Sequence, residues 1–248
     1  MARHPFDRSR RTLLGALGVM TLSAVLWPAR AQTPATGGAK IPIGVVGSGH
    51  IGGTVGSLWV KDGHPVLFSS RHPEQLKDMI ADLGALARAG TVEEAIGFGN
   101  AILLAVPYGA LPQIGRDYGK ALAGKVVLDA GNASASRDGD IAEEVERDGI
   151  GVVTQKYLPG ARVVRAFNTL NYGILAKEAN RPAPRLAIPI AGDDQEALRI
   201  AAELVRDSGF DPVEVGRLAD ARRFQRGGPG YGQAVSAAEL RRALSLAP

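Results

Sequence analysis

The chain of 248 residues contains no cysteine. Disulfides, thiolate nucleophiles and cysteine-based metal sites are therefore excluded. Aromatic residues are scarce, at 5%, so a core has to be assembled from Val, Ile, Leu and Ala, as in sheets covered on both faces. Histidine is scarcer still. Beyond the first 31 residues only His50, His64 and His72 remain, at spacings that match no metal-ligand pattern. No Gly-x-Ser-x-Gly elbow occurs in a catalytic context, and no lysine stands out as a proton donor for carbonyl reduction.

Net charge is missing as well, once the N-terminus is set aside. The formal charge of +4 is concentrated there: residues 1–31 hold five arginines and one aspartate, which leaves 24 basic and 24 acidic groups in the remainder. A neutral chain has no electrostatic footprint for nucleic acid, and no nucleic-acid partner is expected. The N-terminus itself reads as an address. Ser9-Arg10-Arg11-Thr12-Leu13-Leu14 is a near-complete twin-arginine motif, an apolar run follows from Leu13 to Trp27, and Ala29-Arg30-Ala31 offers small residues at signal-peptidase spacing. The expectation is a signal peptide over residues 1–31, cleaved after Ala31, recognition by the twin-arginine translocation machinery, and a periplasmic destination. An uncleaved anchor is the alternative, although the run is short for a membrane span.

Residues 32–40 read as a linker. From there, short apolar runs (Ile41–Val46, Pro65–Phe68, Ala101–Val106, Lys125–Leu128, Arg162–Ala166 and Leu186–Ile190) alternate with amphipathic stretches near 50–62, 73–83, 91–97, 109–122, 138–148, 152–158 and 193–208. This alternation predicts an α/β fold, a Rossmann-type doubly wound parallel sheet with helices on both faces. The division expected is a nucleotide-binding domain over 41–169 and a small C-terminal α/β extension over 170–248. The Arg- and Gly-rich stretch from Arg222 to Gly232 reads as a loop before a last helix near Ala234–Leu244.

The chemistry is carried by Gly47-Ser48-Gly49-His50-Ile51-Gly52, which follows a buried-strand sequence and opens a helical one. In that context Gly47 permits the tight turn, Gly49 lets backbone approach a pyrophosphate, and Gly52, with Gly56 a turn later, lets helix and strand pack closely. The helix N-terminus then faces the phosphates. An acidic residue at the end of the second strand would select NAD. Here that strand ends Phe68-Ser69-Ser70-Arg71 instead. Ser70 can donate to a ribose 2′-phosphate and Arg71 can fork onto it, so NADP is the expected cofactor. Further strand ends carry Val106 and Pro107, an apolar wall beside the cofactor, and Asn132 and Asn168, whose amides suit ribose, nicotinamide or substrate. Tyr108 fits core packing as well as ring stacking, and Asp129 fits a structural brace as well as a functional group. The lack of an acid–base pair suits direct hydride transfer to a flavin-like ring, which needs chiefly orientation; it suits a module without turnover equally.

The same residues, with Ala105-Val106-Pro107-Tyr108, Asp129–Asn132, Arg165-Ala166-Phe167-Asn168-Thr169, Ala191-Gly192-Asp193-Asp194 and Asp207–Val213, occur in an order that resembles the NADPH-dependent coenzyme F420 reductase family. The nucleotide-binding domain of membrane metalloreductases belongs to the same broad group. The resemblance spans nearly all of residues 40–225. It implies a Rossmann domain, a small C-terminal domain, often a homodimer, and hydride transfer between NADP and a flavin or the deazaflavin coenzyme F420. Carried over by residue, the phosphate loop is Gly47 to Gly52, the 2′-phosphate site Ser70 and Arg71, and the nicotinamide and acceptor cleft Val106, Pro107, Asn132, Phe167 and Asn168. The chain departs from the family pattern at Gln75, at Asn132-Ala133-Ser134, in the tail after Phe224 and in having an export leader. Two other functional classes remain open on sequence: an NADP-binding sensor or scaffold without turnover, and a reductase of imines or hydroxy acids.

Overall fold

The computed structural model describes residues 40–247. The signal peptide expected over 1–31, and the linker up to residue 39, lie outside the described residues. Within them, no helix is long and apolar enough to cross a membrane.

Eight strands make one sheet: β1 Ile43–Val46, β2 Val66–Ser69, β3 Ala87–Gly90, β4 Ala101–Leu104, β5 Val126–Asp129, β6 Arg162–Arg165, β7 Ala187–Gly192 and β8 Asp211–Gly216. The helices are α1 His50–Lys61, α2 Lys77–Leu83, α3 Val92–Phe98, α4 Leu111–Leu122, α5 Ala135–Asp138, α6 Asp140–Asp148, α7 Ile150–Tyr157, α8 Tyr172–Glu178, α9 Gln195–Asp207 and α10 Ala237–Ala243. Strand order is β3-β2-β1-β4-β5-β6-β7-β8. The first six strands thus follow the doubly wound order, with its switch point between β1 and β4, where Ile43 lies opposite both Val66 and Ala101.

The apolar runs become strands because both faces of the sheet are covered. β1, β4 and β5 are buried at every position. Their side chains alternate between two cores, as a period of two demands. Val45, Leu103 and Leu128 face Trp59 of α1 and Leu198 and Leu204 of α9. Val46, Leu104 and Val127 face Leu111 of α4, Val153 of α7 and Leu240 of α10.

The structure departs from expectation at both edges and at one turn of the chain. β3 and β8, the two edge strands, come from no apolar run, because each buries only part of its length: Arg88 and Ala89 are exposed in β3, and Glu214 in β8. α8 also lies outside the amphipathic stretches that predict helices. The sheet is parallel except that β7 runs antiparallel to β6, with Arg165 opposite Ala191. A parallel return requires the chain to cross back to the other end of the sheet. The connection from β6 through α8 makes no such crossing, so β7 enters at the end where β6 leaves. β7, α9 and β8 then continue the same sheet beyond residue 169.

Trp59 joins the layers on one side. It is fully buried, packs edge-on against Phe167 at 5.8 Å between ring centroids, and donates from Nε1 to the Leu204 carbonyl at 2.7 Å. Trp59→Phe keeps most of the packing but leaves that buried carbonyl without its donor. A loss of roughly 1–3 kcal/mol in urea unfolding is expected; a loss within error would show that the bond contributes nothing.

Candidate functional site

Three strand-to-helix junctions build the site. At the first, β1 ends and Gly47 adopts φ +96°, a conformation that L side chains rarely take. A Cβ on Gly47 would also fall 2.5 Å from the Ala105 carbonyl oxygen and 2.8 Å from a Val106 methyl. Ser48 is tied back to β2, its amide and hydroxyl donating to the Ser69 carbonyl at 3.1 and 2.9 Å. Gly49 forms the N-cap of α1, with nothing within 4 Å of the place a Cβ would take. A Cβ on Gly52, in contrast, would collide with the Gly47 carbonyl oxygen, and one on Gly56 with the Phe68 ring. Gly52 and Gly56 therefore let α1 settle onto β1 and β2, while Gly49 leaves an open approach to backbone. Ile51, half-buried, packs on the α1-side core. His50 is exposed at the first helical position.

The N-terminus of α1 is bare. No side chain caps it and its first turn holds no acidic residue. By comparison, Thr91 caps α3, Asn171 caps α8 and Asp194 caps α9 with side-chain oxygens. The amides at the start of α1, with the positive end of the helix dipole behind them, are thus available to an anion.

At the second junction, β2 ends in Ser69, Ser70 and Arg71. Ser70 Oγ accepts the His72 amide at 3.0 Å, and Arg71 is exposed and makes no ion pair among the described residues. These groups and the glycine turn sit at the carboxyl ends of neighbouring strands, as the sequence pattern anticipates.

The third region is the wall formed beyond β4, β5 and β6. Val106 lies against the Gly47 turn and Pro107 is exposed beside it. Asn132 and Asn168 are brought together, but largely to bond protein: Asn132 Nδ2 donates to the Asn168 carbonyl at 2.7 Å, and Asn168 Nδ2 donates to the Phe224 carbonyl at 3.1 Å. Phe167 is the residue whose ring the cleft does not receive. Its side chain is 1% exposed and lies in the core against Trp59, while its backbone takes φ +59°. For a bulky residue such a conformation costs on the order of 1–3 kcal/mol and persists only where the surroundings enforce it. The same turn that buries the ring carries the chain on to Asn168 and Thr169.

Sequence reasoning left Asp129 and Tyr108 undecided and passed over their partners. Asp129 and Arg165, 2% and 0% exposed, form a buried ion pair under this wall. Asp129 Oδ1 accepts the Gly131 amide at 2.8 Å, and Arg165 Nη2 donates to the Gly131 carbonyl at 2.5 Å. One peptide segment is thus held from both sides, next to Asn132. The Thr154 hydroxyl donates to Asp129 Oδ2 at 2.7 Å, and the Tyr108 hydroxyl lies 2.9 Å from Thr154 Oγ1 and 3.0 Å from the Ile150 carbonyl oxygen. Burial, with the Asp129 charge nearby, pushes the Tyr108 phenol well above its usual range, so it stays a neutral hydroxyl. The available signal was a charged residue inside an apolar strand, Val163-Val164-Arg165-Ala166, opposite an aspartate that ends another.

With this geometry in view, the likenesses to known proteins take on meaning. Residues 42–133 match the family described as NADP oxidoreductase, coenzyme F420-dependent. The chain is similar to the rat metalloreductase STEAP3, 28% identical over 193 residues, which is 74% of this chain and 35% of that protein. It therefore spans about a third of that relative's length. Among solved structures, a hypothetical protein SMa0349 of Sinorhizobium meliloti superposes with a TM-score of 0.68 and 28% identity, over 79% of this chain and 95% of that one. A structure from Arthrobacter sp. FB24 named as an F420-dependent NADP-reductase gives 0.62 and 22%, over 73% and 87%, a likeness of fold.

Arg165→Met should lower stability by about 3–5 kcal/mol, because Asp129 would remain buried without its cation. The double change Arg165→Met with Asp129→Leu should recover much of that loss in denaturant unfolding; no recovery would mean the pair is not coupled. Over residues 42–133, which hold the bare helix N-terminus and the glycine turn, the chain matches the F420-dependent NADP oxidoreductase family, carried on a Rossmann-like α/β sheet.

Proposed function

We propose that this protein is an NADP-dependent oxidoreductase that passes hydride between NADP(H) and a flavin, coenzyme F420 or a related small acceptor. The observation that carries the reading is the uncapped, acid-free start of α1 beside the glycine turn, with the unpaired Arg71 at the end of the adjacent strand. Those residues fit a dinucleotide bearing a 2′-phosphate: Gly49 offers room for the pyrophosphate at the helix amides, and Ser70 and Arg71 supply donors where NAD-specific sites place an acid. When bound, the nicotinamide supplies a hydride. The chain's own contribution is to bind and orient. Gly47 to Gly52 hold the phosphates, Val106 and Pro107 give an apolar side that excludes water, and the braced Gly131–Asn132 segment fixes the far wall. No side chain at these strand ends is set up as a proton donor, which suits transfer to an acceptor whose ring takes up hydride and then equilibrates its proton with solvent.

The proposal extends to place. The twin-arginine motif and the Ala29-Arg30-Ala31 site support export to the periplasm by a route that carries folded, loaded proteins. A second reading, an exported NADP-binding module without turnover, is favoured by the same lack of an acid–base side chain.

Anaerobic NADPH oxidation, followed with FMN, FAD and coenzyme F420 offered separately, decides between them. Turnover with one acceptor identifies the enzyme and its acceptor class; NADPH binding without turnover on all three favours the module. Arg71→Glu should weaken NADPH binding about tenfold to a hundredfold and NADH binding far less, since a charge-assisted bond to the 2′-phosphate becomes a repulsion. Equal losses for both nucleotides would remove Arg71 as the selector. Gly49→Val places its branch in open space, so the fold should be retained while both nucleotides lose affinity. Unchanged affinity would remove the phosphate-loop assignment.

A further inference from the structure

A groove of about 650 Å³ runs along the outer face of α1, between α2 and α8, away from the wall formed by Asn132 and Asn168. Its volume falls in the range of small-molecule sites, roughly 300–1,000 Å³. Its two ends differ in chemistry. At the end next to the phosphate loop, His50 and Tyr172 stack with ring centroids 4.2 Å apart and planes inclined by 11°. Tyr172 is 45% exposed, unusual for a large aromatic ring in a chain with so few. At the other end stands Lys61, exposed and without an ion pair among the described residues, since the neighbouring Asp62 is engaged by Lys40. The two ends are eleven helical residues apart, about 16 Å.

Between them the floor is low and the sides are apolar. Gly53 lines the floor, where a Cβ would meet only the Ser48 carbonyl oxygen at 3.5 Å and the Met79 sulfur at 3.7 Å, both ordinary contacts. Glycine is therefore not required there by packing, unlike Gly52 beside it, and it costs helix stability relative to a larger residue. Leu58 and Met79 contribute apolar surface.

We propose that this groove is a binding site for a planar aromatic ligand with an anionic tail, its ring against the His50–Tyr172 stack and its phosphate or carboxylate at Lys61. The outer face of the stacked pair offers a π surface, the absent side chain at Gly53 makes room for the body of the ligand, and the unpaired ammonium complements the tail. This site extends beyond the dinucleotide site along α1, although the two share Ser48, Gly49 and His50 at their common rim.

FMN and riboflavin are suitable probes, because they differ by one phosphate. Each is titrated against the protein by quenching of flavin fluorescence, with NADPH affinity measured in parallel. The wild type should bind FMN about tenfold more tightly than riboflavin. Lys61→Glu should erase that difference and leave riboflavin unchanged. Tyr172→Leu should weaken both by up to about tenfold. Gly53→Leu, a better helix former that fills the floor, should abolish binding of both while thermal stability is kept or raised. NADPH affinity should stay within about twofold in the Lys61 and Tyr172 variants. Equal affinity for the two flavins, flavin binding indifferent to all three changes, or no flavin binding overturns the proposal. So does a wild-type dimer that Gly53→Leu dissociates without any flavin binding, which would make the groove a contact between copies. Failure of NADPH to bind the wild type would instead sink the dinucleotide reading and leave the groove result standing.

Discussion

Everything in the N-terminal half of the sheet depends on one close approach, that of the first turn of α1 to the end of β1. The Gly47 carbonyl occupies the space that a side chain at Gly52 would need, and the Phe68 ring occupies the space at Gly56. A helix with any side chain at these two positions would have to lift off the sheet. Because it does not lift, its N-terminal amides point across the ends of β1 and β4, at the switch point where a doubly wound sheet leaves a crevice. The same approach explains why α1 lacks a capping side chain: a Ser or Asp at position 49 would satisfy the amides internally, whereas Gly49 leaves them to a ligand.

The opposite wall is fixed by a different force. The loops after β5 and β6 contain little apolar surface with which to anchor themselves, and a buried ion pair holds them instead. Asp129 and Arg165 each bond one side of the Gly131 peptide, and Thr154 and Tyr108 complete the polar network from α7 and the end of β4. Burying two charges is costly unless their remaining hydrogen-bonding capacity is met; here Asp129 Oδ1 and Arg165 Nη2 spend theirs on backbone that borders the site, while Arg165 Nε stays without a partner. The strained backbone at Phe167 belongs to the same construction, since a ring docked on Trp59 pins the strand end from which Asn168 projects. Rigid geometry on both sides of the crevice suits the hydride transfer proposed for it, which asks chiefly for orientation.

The likenesses to other proteins are distributed in the same way as these constraints. The sequence family is matched over residues 42–133, the segment governed by the glycine turn and the first five strands. The 28% identity to the rat metalloreductase extends over 193 residues, well beyond that segment, and the Arg- and Gly-rich stretch after Phe224 is tied to the site: the Phe224 carbonyl accepts from Asn168, and the Gly232 amide donates to the Thr169 carbonyl at 3.0 Å.

The sequence by itself determined the elements whose cause is local or uniform. Strands buried on both faces need unbroken apolar runs, so β1, β2, β4, β5, β6 and β7 are legible in composition alone; the glycine turn and the missing acid at Ser70-Arg71 are legible because each residue type has a single steric or electrostatic reason to be there. Tertiary structure decided the rest. The edge strands β3 and β8 pair on one side only and need not be apolar throughout, so nothing in Ala87–Gly90 or Asp211–Gly216 announces a strand before a neighbour presents its free edge. The reversal at β7 depends on the path the chain takes after β6, a matter of direction that apolar pattern does not encode. The fates of Phe167, Asn168 and Arg165 were likewise settled by contacts between residues far apart in sequence: Trp59 claims the ring, Phe224 and Asn132 claim the amide, and Asp129 claims the guanidinium.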